Sequence, residues 1–520
     1  MERIADPRLR SLILITVDCL RADHCGFYGY SRPTTPFLDS LANESLVVPN
    51  AIVGGVPTYY SLPTVFVSRM PMSLGRDVIG IAPGECTLAT ALRDNAYATA
   101  AFSAGNPYIS SRFGYNQGFD LFHDFPDFHQ VSQADGLDLP HTLSVAPGTA
   151  PDGPHESFRG KLNHAIKTTA FSLGLGSTYN DLYFEYCMKI APPATQIDAL
   201  RKYPSADILV DQAQHWLGTI GPRPFFLWLH LMDPHGPYYP PNNAFRDLTG
   251  REVDPARARY LNEYWNRFDL PSSRFRKKRK EIIELYDAGI RWVDHQIARL
   301  VGTLKQSQLW DECVFALTAD HGEEFLEHGG RFHAPVRLSE EVIRVPLLIR
   351  SAGQRVARLP SSPMSLLHLA PTLLDAVGVR APSSFCGRSL WPSLQGPGQW
   401  TNPAIIECGY DCTNPLRLGK RNVPKLIAVR DEQFKLVMEM KAGAIEEIYD
   451  LKDDPGELHP LPGRVTGKVA GKVTSETRKE LLGLARKHLQ DTEAGQSRAA
   501  VLRLRSRLRD LRGEILGGKV

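Results

Sequence analysis

The sequence has few cysteines, no long hydrophobic run and almost no net charge. Its eight cysteines form no Cys-x-x-Cys pair, which argues against a zinc knuckle or a disulfide framework and favours a reducing compartment. No stretch approaches the ~18 apolar residues of a membrane span, and the N-terminal apolar run LILITV is too short for a signal peptide. We therefore expect a cytoplasmic protein with no transmembrane span.

The formal net charge of +3 conceals an acidic body and a basic C-terminal end. Residues 461–520 carry 14 Lys and Arg against 6 Asp and Glu, whereas residues 1–460 carry 46 against 51. The basic end predicts a linker followed by a basic helix. That helix either holds its arginines in solvent or contacts an anionic partner or another subunit. We expect no nucleic-acid partner.

Short apolar, β-branched runs alternate with helical patterns over the first part of the chain. The predicted strands are residues 12–18, 97–103, 225–233, 312–320 and 345–350. The predicted helices are residues 87–94, 205–220, 277–308 and 365–378. This alternation predicts an α/β fold, in which helices cover both faces of a mostly parallel sheet.

The pattern changes after about residue 380. Four short strands separated by turns predict a small antiparallel sheet; they are residues 403–407, 426–431, 434–439 and 446–451. We therefore expect a main domain over residues 1–380, a C-terminal subdomain over residues 381–460, and a linker with a basic helical tail over residues 461–520. Residues 121–200, rich in Pro, Gly, Ser and His, predict an insertion that shapes a pocket over the sheet.

Three predicted strands end in polar side chains. Asp18 follows the first, Asp233 and His235 follow the third, and Asp320 and His321 follow the fourth. Because the carboxyl ends of parallel strands meet at one edge of a sheet, these side chains are expected to lie together. Two carboxylates and an imidazole suit Mg, Ca, Mn or Zn without choosing among them.

The stretch GGVPTYYSLPTVFVS, residues 54–68, places three hydroxyls in apolar surroundings. A cation near such a hydroxyl would lower its pKa and make it a nucleophile at neutral pH. Local physics favours Ser61 as a helix N-cap, because Pro63 then lies in the first turn. The same argument disfavours a helix that begins at Thr58, where Pro63 would lie deeper.

Several blocks of the sequence resemble successive blocks of the sulfatase family, within the alkaline phosphatase superfamily. They run in family order from about residue 11 to 460, and the most specific are VDCLRADH, MDPHGPY and TADHGE. The resemblance implies a three-layer α/β/α fold, with the main domain as the catalytic one. It also implies a divalent cation and transfer of a sulfuryl or phosphoryl group through a covalent intermediate.

Carried over by position, the resemblance makes Asp18, Asp320 and His321 ligands of one divalent cation. His235 would contact the transferred group or protonate the leaving oxygen. His333, twelve residues after His321, would neutralise charge on the oxygens of the transferred group. The alternative reading of His333 is a loop histidine.

Two departures from the family pattern bear on the nucleophile. Cys19 stands where many sulfatases have a second acid, which favours a single metal ion. Val65 replaces the Arg of the C/S-x-P-x-R segment whose first residue is oxidised to formylglycine, so formylglycine is not expected.

The register of the resemblance favours Thr58 over Ser61, because the family nucleophile usually lies thirteen residues before the proline at Pro71. The run T-x-x-S-x-P also resembles that of the phosphoethanolamine transferases, which use an unmodified Thr. Thr58 would then serve as both nucleophile and metal ligand, and Ser61 stays the alternative nucleophile.

The leading functional hypothesis is a metal-dependent hydrolase of sulfate esters or of related phosphate and phosphonate esters. Its substrate would be an anionic ester, with sulfated or phosphorylated glycans as one class. One alternative is a transferase that passes the group to an acceptor alcohol. The other is an inactive, sulfatase-like protein that binds a glycan.

Overall fold

The fold was analysed in a computed structural model of the chain. It describes residues 10–74, 80–125, 158–191, 194–333, 338–354, 359–395, 400, 403–408, 426–439, 445–461 and 476–492. The strands are β1 Ser11–Val17, β2 Leu46–Val47, β3 Ala51–Ile52, β4 Ala98–Ser103, β5 Leu121–His123, β6 Phe225–Leu231, β7 Cys313–Ala319, β8 Glu324–Phe325, β9 Arg331–Phe332, β10 Arg344–Val345, β11 Leu347–Ser351, β12 Met364–Ser365, β13 Ala404–Cys408, β14 Leu426–Arg430, β15 Phe434–Glu439 and β16 Ile445–Asp450.

Helices lie between most of these strands. They are α1 Pro36–Ala42, α2 Thr58–Phe66, α3 Leu88–Arg93, α4 Phe158–Ser172, α5 Gly176–Ile190, α6 Ala206–Leu217, α7 Asn242–Thr249, α8 Pro255–Trp265, α9 Arg279–Gln306, α10 Glu340–Ile343, α11 Leu369–Ala376, α12 Trp391–Gln395 and a C-terminal helix over residues 476–492.

A seven-stranded sheet in the order β2-β11-β7-β1-β6-β4-β5 forms the centre of the molecule. Strands β7, β1, β6, β4 and β5 pair in parallel, and β11 runs antiparallel to β7. All seven residues of each of β1, β6 and β7 are buried. These runs are apolar on both faces because both faces of the sheet are covered.

Strand β6 shows how the two faces are covered. Successive side chains of a strand point to opposite faces. Phe225 packs against Trp216 of α6, with ring centroids 6.0 Å apart, whereas Trp228 packs against Phe66 of α2 at 4.3 Å. Helices α2 and α6 therefore lie on opposite sides of the sheet, which confirms the predicted three-layer α/β/α fold.

Strands β13 to β16 form a separate four-stranded antiparallel sheet, as predicted. The helix over residues 476–492 packs on it, because Leu481 and Ala485 share a buried cluster with Ile427 and Leu436. Residues 462–473 of the predicted linker over residues 461–473 lie outside the described residues, as do residues 493–520 of the tail and residues 126–157 and 192–193 of the predicted insertion. The domain boundaries stay predictions.

Candidate active site

The carboxyl ends of β1 and β7 bring the predicted ligands together. β1 and β7 pair in register from Ser11 and Cys313 to Val17 and Ala319, so Asp18 and Asp320 follow neighbouring strand ends. His321 Nε2 lies 3.8 Å from Asp18 Oδ1 and 3.4 Å from Asp320 Oδ2. All three side chains are fully buried.

His321 is held in one tautomer by the backbone. Its Nδ1 lies 2.9 Å from the carbonyl oxygen of Gly322, so Nδ1 carries the proton and Nε2 keeps a free lone pair. That lone pair faces the two carboxylates. Burial lowers the pKa of His321 to about 3, and the nearby His333 adds to this effect. The imidazole is therefore neutral, as a metal ligand must be.

Asp320 has one satisfied and one unsatisfied oxygen. Oδ1 accepts the backbone N–H groups of His321 at 3.0 Å and Cys19 at 3.4 Å. Oδ2 is buried and forms no well-aligned hydrogen bond with any residue that the structure describes. Burial and the charge of Asp18 raise the pKa of Asp320 to about 7. A buried, orphaned carboxylate oxygen beside a second carboxylate and a free imidazole nitrogen fits a divalent cation.

Asp18 is supported by two residues that the sequence analysis did not assign to it. Asn106 donates from Nδ2 to Asp18 Oδ2 at 2.9 Å, and His230 Nε2 lies 3.3 Å from the same oxygen. Burial opposes the charge on Asp18, but His235, His230 and His321 outweigh it and lower its pKa well below the usual value. Asn106 follows β4, so the reasoning used for the other strand ends could have found it.

His230 is a fully buried histidine of strand β6. Its Nδ1 lies 2.8 Å from Thr16 Oγ1, and Thr16 Oγ1 also accepts from Trp228 Nε1 at 2.9 Å. These hydrogen bonds between β1 and β6 fix the imidazole ring of His230 against Asp18. His230 therefore positions a carboxylate and has no free nitrogen for substrate.

Thr58 is the first residue of α2. Its Oγ1 lies 3.1 Å from His321 Nε2, within the group formed by Asp18, Asp320 and His321. The helix N-terminus adds positive potential beside an anionic ester.

The prediction that Ser61 caps this helix is wrong. The backbone N–H of Ser61 donates to the carbonyl oxygen of Pro57 at 3.0 Å, so Ser61 already lies inside the helix, and Pro63 lies one turn deeper than expected. Ser61 Oγ is buried and has no hydrogen-bond partner within the described part of the chain. The third hydroxyl, Thr64 Oγ1, donates to the carbonyl of Ser61 at 2.6 Å.

A distant strand determines where α2 begins. Gly54 accepts from the backbone N–H of Glu407 at 3.0 Å, and Glu407 accepts from that of Val56 at 3.2 Å. A Cβ on Gly55 would lie 2.8 Å from the Glu407 carbonyl oxygen, so only glycine allows this approach. The pairing with β13 orients the chain as it enters α2. This pairing cannot be inferred from the sequence of residues 54–68 alone.

Cys19 occupies the centre of the site. Its Sγ lies 3.2 Å from Asp18 Oδ1 and 3.4 Å from His333 Nδ1. Its backbone adopts the left-handed conformation, with φ at 61°, and its carbonyl accepts from Tyr286 Oη at 2.8 Å. Burial and surrounding carboxylates raise the pKa of the thiol well above its ordinary value, so Cys19 is a neutral thiol where an acid was expected.

His333 and His235 line the other side of the site. Their ring centroids are 5.3 Å apart, and that of His333 is 4.3 Å from His321. Burial opposes a charge on His333, but Glu323, 3.2 Å from its Nδ1, outweighs burial and raises its pKa. His235 Nδ1 lies 2.6 Å from the Gly236 carbonyl, so its other nitrogen is available to a ligand.

The fold and this edge of the sheet define a class of protein, three-layer α/β/α proteins with carboxylates, histidines and a hydroxyl gathered at the carboxyl ends of the central strands. The sequence profile named Sulfatase matches residues 10–379, and one named N-sulphoglucosamine sulphohydrolase, C-terminal, matches residues 327–487. The chain belongs to the sulfatase family, within the alkaline phosphatase superfamily.

Individual relatives are distant. The chain is 31% identical over 195 residues to an N-acetylglucosamine-6-O-sulfatase of Bacteroides thetaiotaomicron, covering 36% of this chain and 33% of that protein. It is 29% identical over 267 residues to a choline-sulfatase of Rhizobium meliloti, covering 48% of each. The matches thus span about a third to a half of the relatives' length.

Solved structures agree in fold over nearly the whole chain. A complex with the substrate D-glucosamine-2-N,6-O-disulfate has a TM-score of 0.63 at 19% identity, covering 94% of this chain and 98% of that one. A phosphonate monoester hydrolase of Agrobacterium radiobacter has a TM-score of 0.58 at 19% identity, covering 94% and 96%. Within the described residues, no helix is both long and apolar enough to cross a membrane.

Proposed function

We propose that the protein hydrolyses sulfate esters, or related phosphate or phosphonate esters, with Thr58 as nucleophile and one divalent cation. The observation that carries the proposal is the contact of Thr58 Oγ1 with His321 Nε2, beside Asp18 and the unpartnered Asp320 Oδ2. A nucleophile needs an adjacent activating group, and Ser61 Oγ has no such neighbour.

Asp18, Asp320, His321 and Thr58 would hold the cation. When bound, it would lower the pKa of the hydroxyl and offset negative charge on an ester oxygen. Cys19 contributes no charge, so the site supplies two carboxylates, which suits a single ion. Two carboxylates, an imidazole and a hydroxyl suit Mg, Ca, Mn and Zn alike.

The chemistry proceeds in two displacements. Thr58 Oγ1, having given up its proton to solvent, bonds to sulfur or phosphorus while the bond to the leaving alcohol breaks. His235 gives the leaving oxygen its proton, and His333, whose pKa Glu323 raises, holds the oxygens of the transferred group. Water then attacks the same atom, gives a proton back to His235 and releases Thr58.

A substrate panel tests the proposal. Aryl sulfate, phosphate monoester, phosphodiester and phosphonate monoester are assayed with wild type, Thr58→Val and Ser61→Ala. Thr58→Val keeps the side-chain shape and removes the hydroxyl, so turnover should fall at least ~10³-fold, whereas Ser61→Ala should keep it. Full activity of Thr58→Val, or loss in Ser61→Ala alone, contradicts the assignment.

The same panel separates hydrolase from transferase and from a binding protein. Product transfer to added glycerol at the expense of hydrolysis would identify a transferase. Absence of turnover with every ester, together with less than one divalent ion for every few chains, would leave only binding. Similarity to sulfated-sugar enzymes makes sulfated sugars the first physiological class to test.

A further inference from the structure

Helices α4 and α5 form a hairpin whose outer surface is unusually apolar. Of the eleven large apolar side chains exposed among the described residues, seven lie on this hairpin, although it spans only residues 158–190. Each of these seven is between 50% and 68% exposed. They are Ile166, Phe171, Leu173, Leu175, Leu182, Tyr186 and Ile190.

Three of them form the apolar tip, defined as Phe171, Leu173 and Leu175. The tip surrounds Gly174, whose φ of 72° closes the end of α4, and the backbone N–H of Leu175 donates to the Ala170 carbonyl at 2.8 Å. This is the hydrogen-bond pattern of a Schellman end. The tip is therefore a fixed turn that presents three large apolar side chains to solvent.

A further three form an outer stripe, defined as Leu182, Tyr186 and Ile190. They are spaced four residues apart and thus lie on one face of α5. The opposite face packs on the body, because Phe184 lies 5.5 Å from Tyr260 between ring centroids. The outer stripe consequently faces away from the residues on which α5 packs, and the tip lies exposed at the end of the hairpin.

Acidic and basic side chains are also distributed unevenly over the hairpin. The acidic side chains described on the hairpin contact residues outside it. Asp181 pairs with Arg267 at 2.5 Å, and Glu185 accepts a hydrogen bond from Tyr260 Oη at 2.8 Å. Lys189 is exposed, Lys167 is partly exposed, and neither forms an ion pair with a described residue. The outer surface is therefore apolar and is flanked by a positive fringe, defined as Lys167 and Lys189.

We propose that this hairpin docks the protein on an anionic lipid bilayer surface. The tip and outer stripe enter the interface, and the lysines meet the headgroups, as in interfacial helices with apolar and basic faces. Charge complementarity favours this occupant over a second copy of the chain, which would bring the same positive fringe to the contact. The docking is independent of ester hydrolysis.

Co-sedimentation of the full chain with vesicles tests the proposal. Phosphatidylcholine vesicles are compared with vesicles that also contain phosphatidylglycerol, at low and high salt. The double variant Leu173→Glu/Leu175→Glu is compared with Leu458→Glu, a leucine that is 60% exposed outside the hairpin. Melting temperatures and circular dichroism check that both variants fold.

Wild type should bind the anionic vesicles preferentially, and salt should weaken binding. The double variant should bind at least ~10-fold more weakly, and Leu458→Glu should bind as wild type does. Lys167→Gln/Lys189→Gln should lose the preference for anionic lipid. Wild type that stays in the supernatant, or equal binding of the double variant, overturns the proposal. So does sedimentation velocity showing a dimer that the double variant dissociates.

Discussion

Replacing Asp320 with Asn should stabilise the metal-free protein while removing its metal response. The carboxylate is buried beside Asp18, and its pKa is raised from 3.8 to about 7 by burial and by that neighbour. Between pH ~4 and ~7 the Asp320 carboxyl is therefore protonated in the folded metal-free protein but ionised in the unfolded chain. Stability falls as pH rises through this window, and the whole penalty is present above it.

The magnitude follows from the size of the pKa change. About three pKa units correspond to roughly 4 kcal/mol at pH 8, as an upper bound. Asn fits the position, because its oxygen can accept the N–H groups of His321 and Cys19 that Asp320 Oδ1 accepts. Its amide group replaces Oδ2, which has no hydrogen-bond partner, and can donate to Asp18.

Urea unfolding in EDTA at pH 5 and pH 8 measures the effect. The free energy of unfolding of Asp320→Asn should exceed that of wild type by roughly 2 to 4 kcal/mol at pH 8. At pH 5 the difference should be less than half of that. Added Mn²⁺ should stabilise wild type, by about 2.7 kcal/mol at one hundred times its Kd, and leave the variant nearly unchanged. Asp247→Asn, at an exposed carboxylate with no ion pair to a described residue, is the control and should behave as wild type.

Two outcomes would refute this reasoning. If Asp320→Asn is no more stable than wild type in EDTA at pH 8, the two carboxylates do not repel each other in a dry site. If the variant gains as much stability from Mn²⁺ as wild type does, Asp320 is not a ligand.

Three further predictions concern the surroundings of the site. Ser61→Ala should be neutral or up to ~1 kcal/mol more stable in urea, because it removes a buried hydroxyl without a partner; a larger loss would reveal a hidden partner. Gly55→Ala should lower the free energy of unfolding by ~2 kcal/mol or more and reduce turnover, because its Cβ would lie 2.8 Å from the Glu407 carbonyl oxygen. Gly302→Ala, with open space around it, is the control. Burial raises the pKa of Asp233 from 3.8 to about 6, so ionisation of this carboxyl should cost wild type about 2 kcal/mol as pH rises from 4 to 6, and Asp233→Asn should lose correspondingly less; equal losses in the two proteins would contradict the assignment.

The sequence predicts the sheet well because burial on both faces leaves a strong local signal. β1, β6 and β7 are apolar at nearly every position, so their ends, and the polar residues that follow, can be read directly. The geometric rule that carboxyl ends of parallel strands meet then places Asp18, Asp320 and His321 together. No distant contact is needed for either step.

The start of α2 could not be predicted in this way. Ser61 and Pro63 make a good local helix start, but the pairing of Gly54 and Val56 with Glu407 orients the chain so that the helix begins at Thr58. That pairing joins residues about 350 positions apart. Asn106 is different, because it follows the predicted strand β4 and the rule for strand ends could have placed it near Asp18.

Identification of the residue that carries the covalent intermediate is the most direct test of the account. Wild-type protein is mixed with 4-nitrophenyl sulfate or 4-nitrophenyl phosphate, quenched in acid during the first turnover, digested and analysed by tandem mass spectrometry. A sulfuryl or phosphoryl group should be found on Thr58, and none on the corresponding peptide from Thr58→Val. A modified Ser61, or a burst of nitrophenol without any adduct on residues 54–68, would contradict it.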